Sequence, residues 1–233
     1  MTVCIILLVL GAIFLTLFII EKVRKISVKS TMIKATASFL FIALAAYSVY
    51  TNGNPPFGFF VICALAMGML GDIWLGLKYV YQEQSRIYTF AGFSCFAVGH
   101  VFYIYGMMRK LPYPTDWYAY LIPLAFGLLC GIAVIALEKP LKYKYGEYKI
   151  ISFIYGFLLF SMVGTAAYIA IANKMQVAAY NMIFIGGILF ALSDLILCGT
   201  YFGEGKDKPF DLISNSITYY VAQYLIAFSL FFL

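Results

Sequence analysis

The chain has 233 residues, 64% of them hydrophobic and only 11% charged, with a formal net charge of +6. Soluble domains carry about 25% charged residues, so this composition excludes a water-soluble fold, and 1–233 reads as a single transmembrane domain. The basic excess comes with no nucleic-acid-binding motif, which excludes that class of partner and assigns the charge to a membrane surface.

An apolar run of about 20 residues spans the hydrocarbon core of a bilayer. Eight such runs follow one another, at 2–20, 31–51, 57–77, 87–108, 116–137, 148–172, 178–202 and 212–233. The expected fold class is therefore all-α, a polytopic membrane protein with eight transmembrane helices. The first run has no basic segment before it and no small-residue cleavage site after it, and reads as a retained helix. Turn signals punctuate the rest: Asn52-Gly53-Asn54-Pro55-Pro56, Leu111-Pro112-Tyr113-Pro114, and the GEGKDKP run at 203–209. Gly127 and Gly131 form a GxxxG in the fifth run, a spacing that admits a second helix backbone. The five cysteines stand singly and indicate neither a disulfide framework nor a metal site.

All Lys and Arg except Arg109, Lys110 and Lys174 fall on one side of this arrangement. By the positive-inside rule that side is cytoplasmic, and both termini lie outside. MLGDIWL around Asp72 is echoed by ALSDLIL around Asp194, each followed by a turn and a helix bearing a polar residue, His100 or Gln223. The echo suggests two parallel four-helix halves.

Asp72 and Asp194 are acids within apolar runs, and insertion of such a charge costs about 2.5–3.5 kcal/mol at a helix centre. At 1.5 Å per residue they lie about 9 and 13 Å from the basic ends of their helices. His100 and Gln223 fall near mid-membrane, and Lys34 enters from the basic side. Gly68 and Gly76 flank Asp72 at i−4 and i+4, leaving room for a backbone or ligand. Tyr103 shares a face with His100; Ser216, Tyr219 or Tyr220, and Gln223 make a polar stripe; Ser152, Tyr155 and Met162 make another. Asp72 and Asp194 are the candidate catalytic residues, and Lys34, His100, Tyr103, Tyr155, Tyr219 and Gln223 the candidate substrate-binding ones. The plainer alternatives are interhelical hydrogen bonds for the acids, snorkelling for Lys34 and packing for the tyrosines.

A single histidine excludes zinc sites built on two or three histidines, and no GxSxG nucleophile elbow is present. No metal and no cofactor are expected. Two carboxylates in a low-dielectric cavity form an acid–base pair suited to reactions through an oxocarbenium ion. A site between membrane helices takes a lipid.

GDIWL, the run Gly92, Phe96, His100, Tyr103, then LSDLIL and TYYVAQYLI resemble, in order and spacing, the YhhN or lysoplasmalogenase family of eight-span membrane proteins. The resemblance runs from about Lys34 to the end. It implies a multi-pass protein of the cell membrane that cleaves the vinyl ether of a lysoplasmalogen to a fatty aldehyde and glycerophospho-ethanolamine or -choline. It also implies Asp72 and Asp194 as the two acids, with His100, Tyr103, Lys34 and Gln223 beside the lysophospholipid substrate. A proton-coupled transporter or lipid-binding protein is the alternative, since parallel repeats and mid-membrane acids suit it equally. Oligomeric state has no signature in the sequence.

Overall fold

The structure, a computed structural model, describes residues 1–24, 27–53, 55–111, 116–203 and 208–233. Eight long helices occupy most of them: α1 (Thr2–Arg24), α2 (Val28–Asn52), α3 (Pro55–Val80), α4 (Ser85–Met108), α5 (Tyr118–Ala136), α6 (Lys149–Ala172), α7 (Ala178–Phe202) and α8 (Pro209–Ser229). No strand occurs among the described residues. Each helix overlies one expected run, with ends shifted by a few residues. Asn54, Pro112, Tyr113 and Pro114 of the expected turns, Lys25 and Lys206 of the basic side, and 204–207 lie outside the described residues.

Local chemistry sets the helix ends. Ser27 caps α2, its Oγ accepting from the Ser30 amide while Ser30 Oγ accepts from the Ser27 amide. Gly53, at φ 68°, closes the same helix in a left-handed conformation that a side chain would disfavour. Pro209 opens α8, where a missing N–H costs nothing.

Helices α1 to α7 are long and apolar enough to cross a membrane. The exception, α8, is built inside out. Its polar residues Ser216, Tyr219, Tyr220 and Gln223 are buried, while Ile217 and Val221 face outward. Average hydropathy understates such a helix, because its polar groups are spent on neighbours and not on solvent.

The packing forms a ring. Helix α2 lies against α3, α3 against α4, α4 against α6, α6 against α7, α7 against α8, and α8 returns to α2. Outside the ring, α1 packs on α2 and α8, and α5 on α6. The seams α4–α6 and α8–α2 are thus counterparts, each joining the fourth helix of one half drawn from the sequence to the second helix of the other.

Lipid tails are as apolar as the side chains, so helices associate through close fit and interhelical hydrogen bonds. The GxxxG of α5 does this against α6. A Cβ on Gly127 would stand 2.6 Å from the Phe157 carbonyl oxygen and 2.7 Å from the Ser161 nitrogen; one on Gly131 would stand 3.0 Å from the Phe157 nitrogen. Backbone cannot yield as a flexible side chain can. Gly127→Ala is therefore expected to destabilise the bundle by about 1–3 kcal/mol, seen as a lowered melting temperature in detergent; an unchanged one would mean α5 does not hold its place this way. The segment after α5 is pinned as well: Tyr145 is buried, packs its ring tilted against Phe202 at 4.7 Å between centroids, and donates to the Val134 carbonyl.

Candidate active site

Asp72 is 1% exposed and sits on α3 facing α2 and α8. Lys34 places its Nζ 2.6 Å from Oδ1. Ser38, one turn further along the same face of α2, donates to Oδ2 at 2.8 Å. Tyr219 of α8 donates to Oδ2 at 2.9 Å. A carboxylate offers about four acceptor sites, so these donors leave one free, on Oδ1. The flanking glycines make this approach feasible. A Cβ on Gly76 would stand 2.7 Å from Thr31 Oγ1 of α2, and one on Gly68 2.9 Å from Gln223 Nε2 of α8. Thr31 and Gln223 thus use the close approach that the flanking glycines allow.

Behind this cluster the hydrogen bonds continue inward. Gln223 Nε2 donates to Tyr219 OH at 3.2 Å, and Tyr103 OH donates to Gln223 Oε1 at 3.1 Å. Tyr220 OH, 3.0 Å from Ser38 Oγ, donates to the Lys34 carbonyl at 2.9 Å. Tyr103 and Gln223, expected at the substrate, thus hydrogen-bond in series behind Tyr219.

Asp194 on α7 is differently placed. Tyr155 of α6 donates to its Oδ2, and among the described residues no Lys or Arg forms an ion pair with it. The two acids thus stand in parallel settings with unlike partners: α2 supplies a cation to α3, and α6 supplies a phenol to α7. His100 is 1% exposed, with ring contacts to Tyr155 at 5.3 Å and Phe190 at 5.0 Å. Neither ring nitrogen has a hydrogen-bond partner among the described residues.

Two cavities adjoin at Asp194, and the first of them also reaches Asp72. A polar one of about 730 Å³, including its open mouth, lies between the ends of α1, α2, α3, α7 and α8. Its wall includes Asp72, Asp194, Lys34 and Tyr219, together with Lys22, Asn215 and Ser216. An apolar one of about 600 Å³ lies between α4, α6 and α7, with Phe93, Leu159, Tyr155 and Asp194 in its wall. Asp194, Phe96 and Tyr201 belong to both walls. The sequence-derived set therefore divides. Asp72, Asp194, Lys34, Tyr155 and Tyr219 line a cavity, whereas His100, Tyr103 and Gln223 line neither.

Ser38 and Lys22 were not among the expected residues. Ser38 stands at i+4 from Lys34 and was legible from that spacing; Lys22 ends the buried stripe of α1. No group of three or more His, Cys, Asp or Glu that would hold a metal occurs among the described residues.

The family model described as YhhN family matches residues 29–230, which takes in nearly all of α2 through α8 and leaves α1 outside. No curated protein and no solved structure matches the chain.

Proposed function

We propose, from the premise that the chain belongs to the YhhN family, that it hydrolyses the vinyl ether of a lysoplasmalogen. The observation that carries this reading is Asp194 on the wall common to the polar and the apolar cavity. Such a lipid has a phosphate-bearing glycerol at one end, an alkyl chain at the other and the vinyl ether between them. Headgroup in the polar cavity and chain in the apolar one bring that bond to Asp194.

Chemistry follows from the unlike partners of the two acids. Asp194, without a cation in contact, carries the proton and donates it to the alkenyl carbon one bond beyond the ether-bearing carbon. An oxocarbenium ion forms. Asp72, fixed as an anion by Lys34, Ser38 and Tyr219, stabilises that cation, and its free Oδ1 site takes a proton from the attacking water. The hemiacetal then breaks its carbon–oxygen bond to the glycerol, giving aldehyde and alcohol. As that bond breaks, Asp72 passes its proton to the departing glycerol oxygen and Asp194 takes the hemiacetal hydroxyl proton, so one water is consumed and each acid returns to its starting state.

In this reading α8 is the eighth span, at about 1.5 Å per residue long enough to cross the core. Both termini lie outside, and the protein sits in the cell membrane. Transporters of the rival class place broken helices at mid-membrane, whereas all eight helices here run continuously.

The test is to incubate the purified protein with a 1-alkenyl lysophospholipid and its 1-acyl counterpart. Fatty aldehyde from the first and nothing from the second is the expected result. Fatty acid from the acyl lipid would overturn the chemistry, and no product from either would overturn the enzyme.

A further inference from the structure

The family match begins at residue 29, yet α1 reaches the polar cavity. Its inward face carries Cys4, Gly11 and Phe18, all buried. Lys22 continues that stripe one turn beyond Phe18. Its Nζ lies 5.3 Å from the centre of the Phe18 ring and 3.5 Å from Ser216 Oγ on α8. Ser216 gives its own proton to the Leu212 carbonyl at 2.8 Å, so its oxygen is free to accept from Lys22. A snorkelling lysine turns its ammonium away from the bundle; this one turns it inward.

Lys34 lies over the same Phe18 ring, at 5.7 Å, but its charge is matched by Asp72 at 2.6 Å. Lys22 forms no ion pair with a carboxylate among the described residues. An ammonium has three donors, and one hydrogen bond, to Ser216, is formed. Lys78 is no substitute: it sits 3.2 Å from the centre of the Tyr201 ring and is absent from the cavity wall. The polar cavity therefore holds one cation balanced by a carboxylate and one with none in contact.

We propose that Lys22 is the anion-binding residue of this cavity and takes the phosphate of the lysophospholipid headgroup. Lys34 is thereby reserved for Asp72, and substrate selection by headgroup passes to a helix that the family match does not cover. The proposal rests on the hydrolase reading only for the identity of the lipid, and its test does not need turnover.

Binding of a non-cleavable 1-alkyl lysophospholipid and of the corresponding 1-alkylglycerol is measured on the full chain in detergent, for wild type, Lys22→Gln and Lys22→Arg. A melting curve for each checks the fold. A charge-assisted hydrogen bond to phosphate is worth about tenfold to a hundredfold in affinity. Wild type is expected to prefer the phospholipid by that factor, Lys22→Gln to lose the preference, and Lys22→Arg to keep most of it. Equal preference in wild type and folded Lys22→Gln would overturn the proposal. Inorganic phosphate is titrated alone as well; Lys22-dependent binding of it without preference for the phospholipid would assign the site to free phosphate and overturn the lipid claim. Aldehyde release is followed on the same preparations. Lys22-dependent binding without aldehyde would sink the hydrolase reading alone, and aldehyde with no effect of Lys22 on preference would sink this one alone.

Discussion

Asp194→Asn is expected to lower aldehyde release by about 10²–10⁴-fold, the usual contribution of a positioned acid, with the melting temperature close to that of wild type. The side chain keeps its shape and can still accept from Tyr155, its hydrogen-bond partner. No ion pair is lost, because Asp194 has none among the described residues. What disappears is the transferable proton. The wild-type rate should accordingly fall as pH rises and the acid deprotonates; a profile flat from about pH 5 to about pH 9 would remove acid catalysis from the mechanism. A folded Asp194→Asn protein with wild-type turnover would remove Asp194 from it.

Asp72→Asn should behave otherwise, losing both activity and stability. It leaves the Lys34 ammonium, 18% exposed, without its counter-ion, and breaking a buried pair from one side costs about 3–5 kcal/mol. Because Lys34 faces the open cavity, the lower end of that range is expected. Adding Lys34→Met should restore most of the stability, since it removes the uncompensated ammonium and the amide oxygen at position 72 can still accept from Ser38 and Tyr219, while aldehyde release stays lost. Thermal unfolding and turnover of the two single variants, the double variant and wild type complete a mutant cycle. A double variant no more stable than Asp72→Asn would show that the ion pair does not govern the fold. A double variant that regains turnover would show that Asp72 acts only through Lys34.

The helices are legible in the sequence because Pro, Gly and Asn interrupt apolar runs of bilayer length, as at Gly53 and Pro209. The acids are legible because a carboxylate in hydrocarbon has few uses. Partnership is less so. Depth along a helix follows from counting residues, but rotation requires knowing which face meets which neighbour. Tyr219 and Tyr220 differ by about 100° around α8; the first reaches Asp72 and the second the Lys34 carbonyl. His100, Tyr103 and Gln223 have the depth expected of site residues and face the interior behind the site. Lys22 is hidden by its company: in EKVRK it reads as one more charge at a membrane surface. Its i+4 spacing from Phe18, on the face already marked by Cys4 and Gly11, is the signal that separates it from its neighbours.

The inside-out character of α8 bears on how the protein is made. A segment carrying Ser214, Asn215, Ser216, Thr218 and Gln223 leaves a translocon for lipid reluctantly, because each polar group meets hydrocarbon before it meets a partner. Its partners are on α1, α2, α3, α4 and α7, all synthesised earlier. In the proposed eight-span reading, membrane integration of α8 is thus coupled to its docking on helices already in place. Tyr219 arrives with it, so the polar shell of Asp72 is completed in the last step of assembly, and a chain halted before α8 holds both acids without a finished site.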